Sequence, residues 1–157
     1  SMSHRPGSMP VDVTSTGLGL GLGAMLLDEA GWDGERVAWS VAGGPEECAG
    51  LGRRLAESHE DAVLLVMGDG TAARLLSPDL GDELAESFDA TVERALRSGD
   101  LPALAGLDAG LADKLTVTGL PAWQVLAAAL GTASASEVRY SEAPFGVRYF
   151  VATLTTA

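Results

Sequence analysis

The residues best suited to chemistry in this sequence follow one apolar segment, residues 62–68. Asp69, Gly70 and Thr71 come directly after it, and Arg74 follows about one helical turn later. At the carboxyl ends of strands in an open α/β sheet, turn amides and the next helix N-terminus face the ligand. There Asp69 could serve as an acid, a base or a metal ligand, Thr71 could donate a hydrogen bond, and Arg74 could hold an anion.

A simpler interpretation of the same residues involves no ligand. Asp69 and Gly70 are typical of a tight turn, and Thr71 is typical of a helix N-cap. Because the sequence names no further ligand that would complete a site, it slightly favours this structural interpretation.

A second glycine-containing pattern lies near the start of the chain. Gly19, Gly21 and Ala24 satisfy the spacing G-x-G-x-x-[GA] of dinucleotide-binding turns. The preceding PVDVTST is a poor strand, however, and no acidic residue ends the strand expected next. A face of small residues on a helix that packs against a sheet is the preferred interpretation.

Histidine and cysteine offer little further chemistry. His4 lies in an irregular lead-in and His59 at a polar junction, so both are interpreted as surface residues, and no metal site is predicted from the residues. Cys48, the single cysteine, lies in an apparent helix and is predicted to be a buried, inert thiol. A single cysteine also fits a reducing compartment, and we expect a cytoplasmic protein.

The charge of the chain argues against two classes of partner. With a formal net charge of −12, the protein would be repelled by nucleic-acid phosphates and by anionic membranes. The apolar run GLGLGLGAMLL is too short to span a bilayer. Neither nucleic acid nor membrane is therefore expected as a partner.

The pattern of elements predicts an α/β fold, namely a layered αβα domain with a small mixed sheet and a C-terminal β-hairpin. Residues 1–16 are predicted as a flexible lead-in with an expression scar, and residues 17–157 as a single domain. Helices are expected at about 20–31, 45–58, 82–99 and 121–131, with two short helices capped by Asp100 and Asp108; strands are expected at 36–42 and 62–68, and the hairpin at 137–154.

Several segments, taken in order, resemble a known family. AVLLVMGDGTA, FDATVERALRSGDLPALAGLD, LADKL, GLPAWQVLAAALG and GVRYFVATL are similar to the C-terminal part of LigB-type class III extradiol ring-cleavage dioxygenases. The similarity extends over most of residues 17–154 and implies the fold of that family.

The resemblance implies an iron site whose ligands this sequence does not match. Catechol-cleaving members hold Fe(II) with two histidines and a glutamate, and use a further histidine in acid–base catalysis. Ala72 or Ala73 stands where the catalytic histidine is expected, and Leu120 to Trp123 where the glutamate is expected. The metal-binding histidines belong largely to an N-terminal region that we expect this chain to lack. No cofactor is therefore predicted, and Fe(II) only if the family chemistry is retained.

Three hypotheses about function follow. The first is a non-catalytic binding or structural protein with a small anionic or aromatic ligand at the Asp69 turn. The second is an aromatic ring-opening dioxygenase completed by another chain or a missing segment. The third is a hydrolase or transferase that uses Asp69 with a metal. A homo-oligomer is also expected, because a sheet that lacks the family's N-terminal strands has an exposed edge.

Overall fold

The computed structural model describes residues 17–58, 61–76, 79 and 81–157. The predicted lead-in and His59 lie outside the described residues. The chain divides into two compact units, the first ending at Val41 and the second spanning Ala42–Ala157. Within the described residues, no helix is long and apolar enough to cross a membrane.

The described part of the first unit contains one helix, α1 (Leu18–Glu29), as the sequence predicts. Gly19, Gly21 and Ala24 all lie within it. In a dinucleotide-binding fold the corresponding glycines form the turn between a strand and a helix. The glycine pattern here is therefore part of a helix and not of a phosphate-binding turn.

The second unit is mainly helical. Proline at the first helical position and glutamates in the first turn favour the start of the long helix at residue 45. The six α-helices in the described part of this unit are α2 (Pro45–Ser58), α3 (Ala73–Leu76), α4 (Asp82–Ser98), α5 (Leu101–Ala105), α6 (Ala109–Lys114) and α7 (Leu120–Leu130).

The predicted helix ends are confirmed where local chemistry sets them. Gly99 ends α4 in the left-handed conformation, with φ of 67°. Asp100 Oδ1 accepts a hydrogen bond from the backbone N–H of Ala103 at 3.0 Å. Asp108 Oδ1 accepts one from Leu111 at 2.6 Å. Short side chains with an acceptor oxygen therefore fix the starts of α5 and α6, as the sequence indicates.

The predicted C-terminal hairpin is confirmed, and with it the mixture of helix and strand. Strands β1 (Ala135–Glu142) and β2 (Tyr149–Thr155) pair in an antiparallel arrangement, with an irregularity between Val138 and Tyr140. Alternate residues of β2 are partly buried and pack against the core; these are Phe150, Ala152 and Leu154. The hairpin therefore covers one side of the helical layer.

The two other predicted strands, residues 36–42 and 62–68, are not paired strands. Over the described residues the sheet has two strands, both of them in the hairpin. Their apolar, branched sequences favour strands, but a strand also requires a neighbour that takes its backbone hydrogen bonds. Sequence composition does not supply that neighbour, so the expected mixed sheet is a two-stranded antiparallel sheet here.

The core lies between α4, the short helices, α7 and the hairpin. Phe88, Val92 and Leu96, which recur every four residues along α4, are buried, whereas Leu84, one repeat earlier, is 40% exposed. Trp123 of α7 meets Phe150 edge to face, with ring centroids 6.3 Å apart. This contact joins α7 to β2, and α4 packs against the same core. Polar residues of α4, of β1 and of the segments that lead into α3 and β2 lie beside this core.

Candidate functional site

The predicted site residues Asp69 and Gly70 lie in a segment held between two other parts of the chain. The carbonyl oxygen of Asp69 accepts a hydrogen bond from Gly119 N at 3.0 Å, and Gly70 N donates one to the carbonyl of Arg148 at 2.9 Å. Glycine is required at position 70 for space, because a Cβ there would lie 2.9 Å from the carbonyl oxygen of Arg148. The segment is therefore fixed by tertiary contacts, and the tight turn predicted at Asp69 and Gly70 is not formed.

Thr71 is completely buried, and its hydroxyl has a different partner from the one predicted. Thr71 Oγ1 donates a hydrogen bond of 2.7 Å to Oδ2 of Asp89 on α4, and the Thr71 backbone N–H donates to Oδ1 at 3.3 Å. The interpretation of Thr71 as an N-cap is wrong. Ala72 precedes α3 and accepts the first backbone hydrogen bonds through its carbonyl, so the hydroxyl is available to α4.

Two arginines converge on the same carboxylate. Nη1 of Arg74 lies 3.2 Å from Oδ2 of Asp89, and Nε of Arg148 lies 3.3 Å from the same oxygen. The Asp89 side chain is 2% exposed, and the two arginine side chains are 16% and 19% exposed. We call Thr71, Arg74, Asp89 and Arg148 the Asp89 cluster.

The hydrogen bonds extend from the cluster along one side of α4. Nη1 of Arg148 donates to the carbonyl of Ser141 on β1 at 3.1 Å, and Ser141 Oγ donates to Oε2 of Glu93 at 2.8 Å. Arg97, one turn further on, donates to Glu93 Oε1 at 2.7 Å. The hydrogen bonds from Arg97 and then Ser141 lower the pKa of Glu93.

The cluster contains two arginines but one carboxylate, and neighbouring acidic side chains offset the remaining positive charge. Glu86 Oε1 lies 4.0 Å from Nη2 of Arg74, while Glu93 lies on the other side beyond Ser141. The arginines 74, 97 and 148 are therefore accompanied by three carboxylates, those of residues 86, 89 and 93. Within the described residues, this balance leaves no excess of positive charge beside α4.

The structure brings together three of the four predicted residues, and adds two that the sequence analysis missed. Gly70, Thr71 and Arg74 meet, but Asp69 is exposed, and no hydrogen bond among the described residues joins its carboxylate to the cluster. The missed residues are Asp89 and Arg148. An acidic residue on the apolar face of α4, in line with Ala85 and Val92, is a sign of a buried ion pair that could have identified Asp89. No comparable signal identifies Arg148.

The positions that correspond to iron-site residues in the resemblance do not fit Fe(II). Ala72 and Ala73 are buried and have no ligand atom, and Trp123 packs against Phe150. Among the residues that the structure describes, no group of three or more His, Cys, Asp or Glu side chains is placed to hold a metal ion. The donor set of a 2-His-1-carboxylate iron site is thus not provided by these residues.

Two surface grooves lie away from the Asp89 cluster. One, of about 290 Å³, is lined by residues of α4, α5 and α6 that include Phe88 and Leu107. The other, of about 350 Å³, lies among α2, α5 and α7 and includes Gln124. Neither is lined by a member of the cluster, so these grooves do not extend the predicted ligand site.

Cys48 is buried on α2, as predicted, with an exposed fraction of 1%. Burial, and next the negative charge of Glu47, raise the pKa of its thiol. A raised thiol pKa reduces the fraction of thiolate, which is the reactive form. Cys48 is therefore suited to packing and not to nucleophilic chemistry.

Comparison of the whole chain with known protein families, with curated proteins and with solved structures finds no significant match.

Proposed function

We propose that this protein is a non-catalytic binding or structural protein with a LigB-like fold. We propose further that the Asp89 cluster holds in place the elements that form the protein's surface. The observation that supports this most directly is that the polar groups of the cluster bind one another. Asp89 accepts hydrogen bonds from both Thr71 donors and from the two arginines. The Asp89 side chain is also only 2% exposed, so its hydrogen bonds are made to groups of this chain.

The cluster connects three elements that are distant in sequence. Thr71 and Arg74 belong to the segment that leads into α3, Asp89 belongs to α4, and Arg148 precedes β2. Burying charges costs free energy unless each charge finds a partner with good geometry. Once the partners are in place, each element is fixed by the others, as expected of a buried ion-pair network with a structural role.

An anionic ligand at Arg74 would have to compete with groups already present. Asp89 lies 3.2 Å from Arg74 Nη1, and Glu86 lies 4.0 Å from Nη2. Because both neighbours are negative, the local charge favours retention of the internal pair over capture of a small anion. The geometry therefore supports a role in binding a macromolecular partner in preference to a role in binding a small molecule. A cytoplasmic location belongs to this proposal and follows from the single cysteine.

Iron loading tests the proposal. Protein purified and incubated with Fe(II) without oxygen, then desalted, should retain iron far below one ion per chain and should not open catechol rings. Near-stoichiometric iron together with ring cleavage would overturn the proposal and support the alternative, a ring-opening dioxygenase with ligands from elsewhere. Asp69→Asn is the matched variant: if iron is retained, loss of iron in this variant would identify Asp69 as a ligand.

A further inference from the structure

Gln124 is the single carboxamide side chain of this sequence, which contains one glutamine and no asparagine. It lies on α7 and is 5% exposed. Its Nε2 donates a hydrogen bond of 3.3 Å to the carbonyl of Ala105, the last residue of α5. Because the last carbonyls of a helix have no partner within that helix, this bond caps α5 and accounts for one N–H of Gln124.

The rest of the Gln124 amide belongs to the groove among α2, α5 and α7. Among the described residues, no group forms a hydrogen bond with Gln124 Oε1 or with the second N–H of Nε2. Every fully enclosed side-chain nitrogen or oxygen in that part of the chain has a partner. Since Oε1 has none, it is accessible from outside the protein, and Gln124 lines this groove. We therefore assign the free acceptor and the free donor of the amide to the groove.

The walls of this groove are mainly apolar. Ala49 of α2, Pro102 of α5 and Ala128 of α7 contribute to them, and the volume is about 350 Å³. That volume is at the lower end of the range for ligand sites, which is about 300–1,000 Å³. A wholly apolar occupant would cover the free atoms of the Gln124 amide without a hydrogen bond, which costs free energy. A suitable occupant therefore combines apolar groups with a donor and an acceptor.

The charge beside the groove disfavours an anionic occupant. Glu46 lines the groove, and the exposed Asp100 directly precedes α5. Among the described residues, no lysine or arginine contributes to the lining. The chain as a whole has a formal net charge of −12. Positive charge beside the apolar part of the occupant is therefore favoured.

We propose that this groove binds an extended peptide segment of a protein partner, in which an apolar residue is flanked by lysine or arginine. The N–H and C=O of one residue in an extended chain point to the same side, so they can pair with the carbonyl and N–H of Gln124. The apolar side chain then contacts the groove walls, and the basic side chains lie near Glu46 and Asp100. Main-chain hydrogen bonds combined with side-chain pockets are a recurring mode of peptide recognition.

The inference deepens the binding role proposed above by naming the class of partner, and it rests on that role. The two can nevertheless fail separately. Iron content and ring cleavage report on dioxygenase chemistry, whereas peptide binding at Gln124 reports on the groove.

Titration of the isotope-labelled chain with the capped peptide acetyl-Lys-Ala-Leu-Ala-Lys-amide provides the first test. In a proton–nitrogen correlation spectrum, Gln124 gives the one carboxamide NH2 signal pair of this sequence, so the pair identifies itself. This pair should shift in a saturable way, with a Kd below about 1 mM. The affinity should fall as salt is added, because salt screens the attraction between the basic peptide and the acidic chain.

Three further ligands separate the contributions to binding. N-methylation of the central leucine removes its main-chain donor and should weaken binding at least about tenfold. Replacement of both lysines by glutamate should weaken binding by a similar factor, because the groove is bordered by acids. N-methylacetamide has an amide but neither the apolar nor the basic groups, so it should give no comparable shift.

Substitutions at two alanines of α5 locate the peptide and leave the Gln124 amide in place. Ala105→Leu narrows the groove beside Gln124 and should abolish the shift. Ala103→Leu is the matched control, because Ala103 lies on the same helix but lines the other groove, and peptide binding should be unchanged. Thermal melting of both variants reports whether each is folded.

Three results would overturn the proposal. The first is a Gln124 signal that does not shift at peptide concentrations up to about 5 mM, which would limit Gln124 to capping α5. The second is equal affinity for the N-methylated peptide or for N-methylacetamide, and in the latter case the groove would be a site for small amides. The third is an equal loss of binding in folded Ala103→Leu and Ala105→Leu.

Discussion

Arg148 and Asp89 form the ion pair that joins the C-terminal hairpin to α4, with 3.3 Å between Nε and Oδ2. The two residues are 59 positions apart in the chain. Each also has a second partner, Ser141 for the arginine and Thr71 for the aspartate. Loss of one member should therefore weaken the packing of all the elements that meet at the cluster.

Removal of the Asp89 charge should strongly destabilise the fold. Asp89→Asn leaves two largely buried arginines without their shared carboxylate, and we expect the free energy of unfolding to fall by about 3 kcal/mol. Glu86→Gln is the control, because Glu86 is 67% exposed and 4.0 Å from Arg74. It should change stability by less than about 1 kcal/mol. Urea denaturation measures both, and similar values for the two variants would contradict the central role of Asp89.

The Thr71 hydroxyl should matter for its hydrogen bond and not for its shape. Thr71→Val keeps the volume but removes the donor to Asp89, and the unfolding free energy should fall by about 1–3 kcal/mol. Thr71→Ser keeps the hydroxyl and should be closer to the unmodified protein. If serine proved as damaging as valine, packing of the methyl group would be the dominant contribution of Thr71.

Two glycines of α2 should respond in opposite directions to the same substitution. A Cβ on Gly52 would collide with the carbonyl oxygen of Val125 on α7, while a Cβ on Gly50 would meet only the end of the Arg54 side chain, at 3.4 Å. Gly50→Ala should raise the melting temperature, because alanine is favoured over glycine in helices by about 1 kcal/mol. Gly52→Ala should lower the melting temperature. A rise in both would show that α2 and α7 are not packed as closely as described.

Glu93 should make part of the stability dependent on pH. Hydrogen bonds from Arg97 and Ser141 lower its pKa in the folded protein, so its contribution is present above the ordinary glutamate pKa of about 4.3. That contribution is lost as pH falls through the lowered folded-state pKa.

The expected observation is a fall in unfolding free energy on acidification below about pH 5 that is smaller in Glu93→Gln. Ser141→Ala keeps the carboxylate but removes one donor and should lie between the two. Denaturation curves at a series of pH values measure the slope. A slope unchanged in Glu93→Gln would exclude this residue as a source of the acid sensitivity.

The sequence predicts the helices well because local chemistry sets their ends. Pro45 starts α2, and Gly99 ends α4 through its positive φ. Asp100 caps α5, and Asp108 caps α6. Each of these effects acts within a few residues, so it is visible in a single sequence.

Strand pairing and the Asp89 cluster could not be predicted in the same way. Residues 62–68 have the composition of a buried strand, but pairing depends on a partner that local sequence does not specify. The sequence makes Thr71 a candidate residue, but its hydrogen-bond partner Asp89 is 18 residues away. Three-dimensional proximity, and not residue type, decides between a cap and a buried hydrogen bond.

The separation in sequence between Arg148 and the rest of the cluster also indicates the order in which the elements fold. During synthesis, Thr71, Arg74 and Asp89 leave the ribosome well before Arg148, and for that interval the hairpin is absent. Closing so distant a contact costs loop entropy that the earlier, local contacts do not. We therefore expect α4 and its neighbouring short helices to form a nascent intermediate first, with docking of the hairpin through Arg148 as the late step that completes the native state.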